Sequence, residues 1–371
     1  MNEANPASLA LVVTWGAFAL ALVFGYVGAR TNFCAMGAVS DLVNMGDWTR
    51  MRMWLLAIAV AILGTSALSL TGRIDLAKSI YTAPGVTWLS FIVGGFLFGV
   101  GMVLASGCGS KTLIRIGGGN LKSLVVLLVL AVSAYMTLRG LFGMFRVGVL
   151  EPAVIVLSGS QDLPSIIARA TGADKKAVLG VLSVLISGGL LAFIFKDREF
   201  RTFDNILGGV VVGLVVVGGW YLSGHVGYLA EDPQTLEEKF LATNSGRMES
   251  LSFVAPQAYL LELLMLWSDK TRVVTFGIAS VLGMTAGSWI YALSSRTFRL
   301  ESFRDAGDTL NHLVGGVFMG FGGVVAIGCT VGQGLSGLST LAVGSFITFF
   351  AIIGGAVAAL KYQYWKMLRE D

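Results

Sequence analysis

Three short segments of this sequence combine a cysteine with glycines and polar residues: Arg30 to Asp41 (RTNFCAMGAVSD), Ser106 to Asn120 (SGCGSKTLIRIGGGN) and Ile327 to Ser339 (IGCTVGQGLSGLS). Between them they hold all three cysteines of the chain, Cys34, Cys108 and Cys329. A thiol is a weak donor and acceptor and a polarisable, uncharged contact, suited to a solute whose oxygens are hard but whose terminal sulfur is soft. The neighbouring glycines, Gly107, Gly109, Gly328, Gly332 and Gly334, permit tight turns and expose backbone amides. A helix that starts after such a turn offers unpaired N–H groups and the positive end of its dipole to an anion. Two roles are open for Ser110 and Gln333: donation to an anion, or satisfaction of the broken backbone. Weak contacts in series let a solute leave as well as bind, and a neutral thiol avoids the cost of a cation inside a membrane.

A free cysteine is also a small hydrophobe that is commonly buried for packing alone. The functional reading is favoured because every cysteine of the chain sits in a glycine-rich polar break. The count is odd, with no CxxC pair and no histidine at ligand spacing, so neither a disulfide framework nor a zinc site is expected and the thiols are read as free. His225 and His312 lack a second ligand nearby, and no cofactor is indicated. Lys111 and Arg115 read as topological anchors, and Asp41 and Asn120 as structural partners. There is no Walker motif for ATP hydrolysis.

The elements that must position these segments are apolar. Of 371 residues 55% are hydrophobic and only 13% charged, whereas a soluble domain carries about 25% charged residues. A bilayer accommodates such a chain, since a span needs about 20 mostly apolar residues with its hydrogen bonds closed inside a helix. Ten apolar runs are visible, at residues 8–29, 53–70, 86–106, 122–138, 177–195, 203–223, 251–267, 273–294, 311–328 and 339–360. The run at 251–267 is short and holds Pro256 and Glu262, so it is expected to be interfacial or buried rather than spanning. The fold expected is all-α, a polytopic integral membrane protein of about nine transmembrane helices with short broken helices. The first run lacks a basic preceding region and a cleavage site and reads as a retained span. The net charge of +4 resides in the segments between apolar runs, which argues against nucleic-acid binding.

An internal repeat organises the spans. Val93 to Cys108 (VGGFLFGVGMVLASGC) and Val314 to Cys329 (VGGVFMGFGGVVAIGC) agree at nine of 16 positions, including five glycines and the terminal Gly-Cys. Small-residue packing explains glycines but not the shared ending. Duplication predicts a first repeat over 1–150, a linker span at 177–195 and a second, inverted repeat over 200–371, arranged around a central path. With the N-terminus periplasmic and the C-terminus cytoplasmic, Arg30, Arg50, Arg52, Lys111, Arg115, Lys122, Lys196, Arg198, Arg201, Arg296, Arg299, Arg304 and Lys361 fall inside, as the positive-inside rule prefers. Seven basic residues, Arg73, Lys78, Arg139, Arg146, Arg169, Lys175 and Lys176, still fall outside.

The three cysteine segments resemble those of the YeeE/YedE family of bacterial sulfur-transport membrane proteins. The likeness covers most of the chain and is most specific in GCGS at Gly107 to Ser110 and GCxxGQGLSG at Gly328 to Gly337, with FCAMGA at Phe33 to Ala38. The resemblance implies a thiosulfate uptake protein of the inner membrane, a transporter and not an enzyme, in which Cys329, Cys108 and Cys34 act in that order from periplasm to cytoplasm. It also implies a small cytoplasmic TusA-like sulfur-carrier protein as partner. Family members associated with selenium leave a selenium-containing species as an alternative substrate. From another class, a membrane sulfurtransferase or thiol oxidoreductase working through a cysteine persulfide would need an activated thiolate.

Overall fold

The computed structural model describes residues 6–232, 236–303 and 305–370; Arg304, placed inside by the charge pattern, lies outside the described residues. The chain is a bundle of long helices interrupted by short ones. In order, α1 spans Pro6–Arg30, α2 Ala35–Met45, α3 Thr49–Leu70, α4 Trp88–Leu104, α5 Gly109–Gly117, α6 Leu121–Arg139 and α7 Leu141–Phe145. There follow α8 Leu163–Thr171, α9 Lys175–Phe195, α10 Phe203–Tyr221, α11 Ala255–Met265, α12 Phe276–Ser294, α13 Ala306–Val325 and α14 Val343–Glu370. Two small antiparallel ladders tie the connecting segments, Gly85–Val86 with Ile155–Val156 and Tyr228–Leu229 with Lys239–Phe240.

Eight helical stretches among the described residues are long and apolar enough to cross a membrane, so the chain is an all-α, multi-pass membrane protein. The helix α13 is not among those eight. Its 20 residues reach about 30 Å, the thickness of a bilayer's hydrocarbon, but its first two turns carry Asp308, Asn311 and His312. The 251–267 run forms only the 11-residue α11, too short to span. A short apolar helix over Leu141–Leu150 was not expected from the sequence, because Gly140, Gly143, Arg146 and Gly148 interrupt its hydrophobicity.

Helices in a bilayer gain nothing from burying apolar surface against one another, so close contact is made where side chains are small. The repeated VGG motif does this at the crossing of α4 and α13. A methyl added at Gly94 would lie 2.8 Å from the Gly322 carbonyl, and one at Gly101 would lie 2.8 Å from that of Gly315. Because 94 meets 322 while 101 meets 315, the two helices run antiparallel, and their C-terminal ends lie on opposite sides of the contact. Around this pair, α1 packs on α12, α3 on α10, α4 on α14 and α6 on α13.

Candidate functional site

Each cysteine sits immediately after a helix that ends in the same way. In α1 the N–H of Thr31 bonds to Val27 and that of Phe33 to Gly28, with Asn32 left-handed between them at φ 52°. After α4, Ala105 bonds to Gly101 and Gly107 to Met102 around Ser106 at φ 56°; after α13, Ala326 bonds to Gly322 and Gly328 to Gly323 around Ile327 at φ 57°. A left-handed residue turns the chain back and satisfies the last helical carbonyls. It places a cysteine two residues later, immediately before the first residue of a new helical segment, which begins at Ala35, at Gly109 and at Thr330. The shared Gly-Cys ending revealed two of these breaks. The third has Phe33 rather than a glycine before its cysteine, and its signal is Asn32, the residue type besides glycine that most readily becomes left-handed.

The new helices all aim their N-termini at a thiol. Cys34 caps α2 and receives the Gly37 N–H on its sulfur at 3.3 Å. Cys108 caps α5 in an extended conformation, with no amide on its sulfur and the Ser110 hydroxyl 3.2 Å away. The sulfur of Cys329 receives two amides, from Gly332 and Phe253, each at 3.4 Å. Phe253 stands between two of the thiols, its N–H on the Cys329 sulfur and its carbonyl over Gly109, the residue after Cys108. Cys34 is 7% exposed, Cys108 1% and Cys329 0%, so the stretch holding Cys108 and Cys329 is closed to solvent.

The closure has identifiable parts. Phe253, fully buried, lies edge-on to Phe24, Phe24 edge-on to Phe33, and Phe33 stacks on Trp54 at 5.0 Å. A methyl added at Gly109 would lie 2.5 Å from the Phe253 carbonyl oxygen. That carbonyl accepts the Gln257 side-chain amide at 2.8 Å, which also reaches the Gly109 carbonyl at 3.3 Å. Phe253 and Gln257 were missed from the sequence because both lie in the weakest apolar run, 251–267, and nothing local says that α11 folds in against the cysteines.

Of the other residues singled out, Gln333 donates its side-chain amide to the Ala326 carbonyl and its N–H to the Cys329 carbonyl. It thus satisfies the broken end of α13. Gly107 lies against the Lys111 stem, Gly332 leaves room for Ser252 and the Tyr81 hydroxyl, and Gly334 packs on Phe349 and Trp54. Gly334 therefore has a packing role beside its place in the motif. His312 bonds to the Asp308 carbonyl at 2.7 Å. Among the described residues no three His, Cys, Asp or Glu side chains gather as a metal would require.

Cavities lie on both sides of the closed stretch. On the Cys34 side, a cavity of about 760 Å³ is lined by Cys34, Arg50, Lys111, Arg115, Lys122 and Arg299. Arg50 is paired with Asp41 and Lys122 with Asp308, each at 2.6 Å, and Lys111 reaches Asn32 at 3.3 Å. Arg115 and Arg299 form no ion pair among the described residues, so this cavity has a surplus of positive charge. On the Cys329 side, a cavity of about 200 Å³ is bounded by Ile327, Gly328, Ser252, Tyr259, Arg146 and Glu249. A larger hollow of about 470 Å³ on the same side is lined by Arg73, Lys78, Lys175, Lys176 and His225 together with Asp75 and Asp162.

The chain is 29% identical over 331 residues to the thiosulfate transporter TsuA of Escherichia coli (strain K12), covering 84% of each protein. It is 25% identical over 355 residues to the thiosulfate transporter TsuA of Spirochaeta thermophila, covering 92% of this chain and 96% of that one. Its cysteine-headed helix breaks all fall within the matched span of 30–358, and the chain belongs to the sulphur transport family.

Proposed function

We propose that this protein carries thiosulfate across the bacterial inner membrane along a path on which Cys329, Cys108 and Cys34 act in turn from periplasm to cytoplasm. The observation that carries the reading is that all three thiols stand at helix starts of one local design, with a cationic cavity on the Cys34 side and a basic hollow on the opposite side. Backbone amides and helix dipoles attract an anion without a buried full charge, and the uncharged sulfurs receive the soft end of the solute. The two relatives named as thiosulfate transporters supply the substrate. Site contacts extend to Gly107, Gly109, Ser110, Gly328, Gly332 and the Gln333 backbone. Gly334 acts through packing.

The orientation rests on charge. The Cys34 side carries Arg30, Arg50, Arg52, Lys111, Arg115, Lys122, Lys196, Arg198, Arg201, Arg296 and Arg299 in its connections, which favours the cytoplasm. The inverted-repeat organisation, 1–150 and 200–371 about the linker 177–195, is supported by paired packing: α1 on α12 matches α10 on α3, and α4 on α14 matches α13 on α6. A TusA-like carrier fits the cytoplasmic end, where the surplus charge of the Cys34 cavity would hold the anion until it is consumed. Such consumption matters, because a dianion entering a negative interior works against about 4.6 kcal/mol per 100 mV, twice the cost of one charge.

The test is growth of a sulfur-auxotrophic bacterium, stripped of other thiosulfate uptake systems, on thiosulfate as sole sulfur source. Growth that requires this protein is the expected result. Equal growth without it would sink the reading.

A further inference from the structure

We propose that Glu249 is the charge gate of the periplasmic cavity: protonated, it admits the dianion to Cys329, and ionised, it repels it. This rests on the transport reading and adds to it a residue that controls access by external pH.

Glu249 belongs to the connection between α10 and α11 and lines the 200 Å³ cavity together with Ile327 and Gly328, the two residues that precede Cys329. Its backbone is fixed to the end of α10, where the Ser223 hydroxyl donates to its carbonyl and accepts its N–H at 3.3 Å. The residue is therefore anchored at the rim of the cavity, half-buried. Ser245 donates its hydroxyl to the carboxylate at 2.7 Å. No lysine or arginine pairs with Glu249 among the described residues. The charged and titratable groups around it are Arg146 from the segment after α7, Tyr259 of α11 and Tyr81 of the 71–87 connection. Arg146 is engaged by Glu151 at 3.5 Å, and Tyr259 has Arg139 and Glu262 on its far side.

An unpaired carboxylate beside the last step before a dianion site is a poor arrangement unless the carboxylate is neutral when the anion passes. Like charges in a small cavity repel strongly, because little water screens them. Partial removal from water supplies the means: Glu249 is half-buried, and desolvation raises its carboxyl toward about 7, while the hydrogen bonds from Ser245 and from the amides of residues 244 and 245 oppose the rise. The sign follows directly. Below that value the group is neutral and can donate a hydrogen bond to the solute; above it the charge returns and access closes.

The experiment uses right-side-out membrane vesicles with the internal pH fixed and the membrane potential clamped, and measures initial thiosulfate uptake while the external pH is varied. Between about pH 5.5 and about pH 8.5 the wild-type KM should rise at least about fivefold, as expected for restoring a like charge beside a dianion. Glu249→Gln keeps the shape and the neutral state, and its KM should stay low and flat. Ser245→Ala removes a hydrogen bond that favours the carboxylate, and should move the midpoint of the wild-type rise to higher pH. A flat wild-type profile, a Glu249→Gln variant that keeps the wild-type rise, or a Ser245→Ala midpoint moved to lower pH would each overturn the gate while leaving transport intact. Absence of uptake at every pH would overturn the transport reading and the gate with it.

Discussion

The backbone N–H of Phe253 points at the Cys329 sulfur from 3.4 Å. The carbonyl of the same residue lies over Gly109, the residue after Cys108, so a single stretch of backbone separates two of the three thiols. On the proposed path, a solute leaving Cys329 for Cys108 would have to displace or pass this stretch. Phe253 is held by Phe24 on one side and by Gln257 on the other.

The contact at Gly109 makes the first prediction. In Gly109→Ala the new methyl meets a backbone oxygen at 2.5 Å, which cannot be relieved by a rotamer change. Overpacking of this kind costs about 1–3 kcal/mol. Thiosulfate uptake should fall about tenfold or more, with the protein still inserted, as read by uptake per mole of membrane protein. Gly148→Ala, where no neighbour lies within 4 Å, should be close to silent.

Cysteine chemistry is separable from cysteine contact. If Cys108 is a neutral contact, Cys108→Ser keeps a donor and should retain part of the uptake, whereas Cys108→Ala removes the polar group and should lose more. A persulfide mechanism requires both variants to fail alike. It also requires an added sulfur on Cys108 that forms and decays during uptake, which mass spectrometry of the working protein would reveal. Neither result is expected.

The unequal burial of the thiols orders their reactivity. Cys34 borders a 760 Å³ cavity, whereas Cys329 is fully buried. A membrane-impermeant maleimide should label Cys34 fastest in inside-out vesicles. Added to intact cells it should reach Cys329 slowly and Cys34 not at all. Rapid labelling of Cys34 from outside would overturn the orientation.

The surplus charge of the Cys34 cavity rests on Arg115 and Arg299. Charges of this kind attract anions over a distance set by salt, about 8 Å at physiological ionic strength. In inside-out vesicles, Arg115→Gln should weaken thiosulfate binding from that side about threefold to tenfold and flatten its dependence on salt, as read by efflux competition. Lys122→Gln, whose charge is already paired with Asp308, should have the smaller effect on binding and the larger one on stability.

Much of the architecture was legible in the chain, because hydrophobicity is a local property. Eight of the apolar runs became span-length helices of high hydropathy, α13 formed in place at lower hydropathy, and α11 proved short where Pro256 and Glu262 said it would be. The Gly-Cys endings announced two helix breaks, since a left-handed turn is encoded by the few residues around it. Asn32 encodes the third less visibly. What tertiary structure alone decided is which of these local features meet. The antiparallel crossing of α4 and α13 depends on glycines far apart in sequence touching backbone to backbone. Folding of α11 against the breaks sets Phe253 between Cys329 and Gly109, and fixing Glu249 on Ser223 puts a carboxylate at the cavity beside Cys329. Such contacts are governed by shape and by the satisfaction of buried polar groups across hundreds of residues, and no periodicity or motif along the chain carries that information.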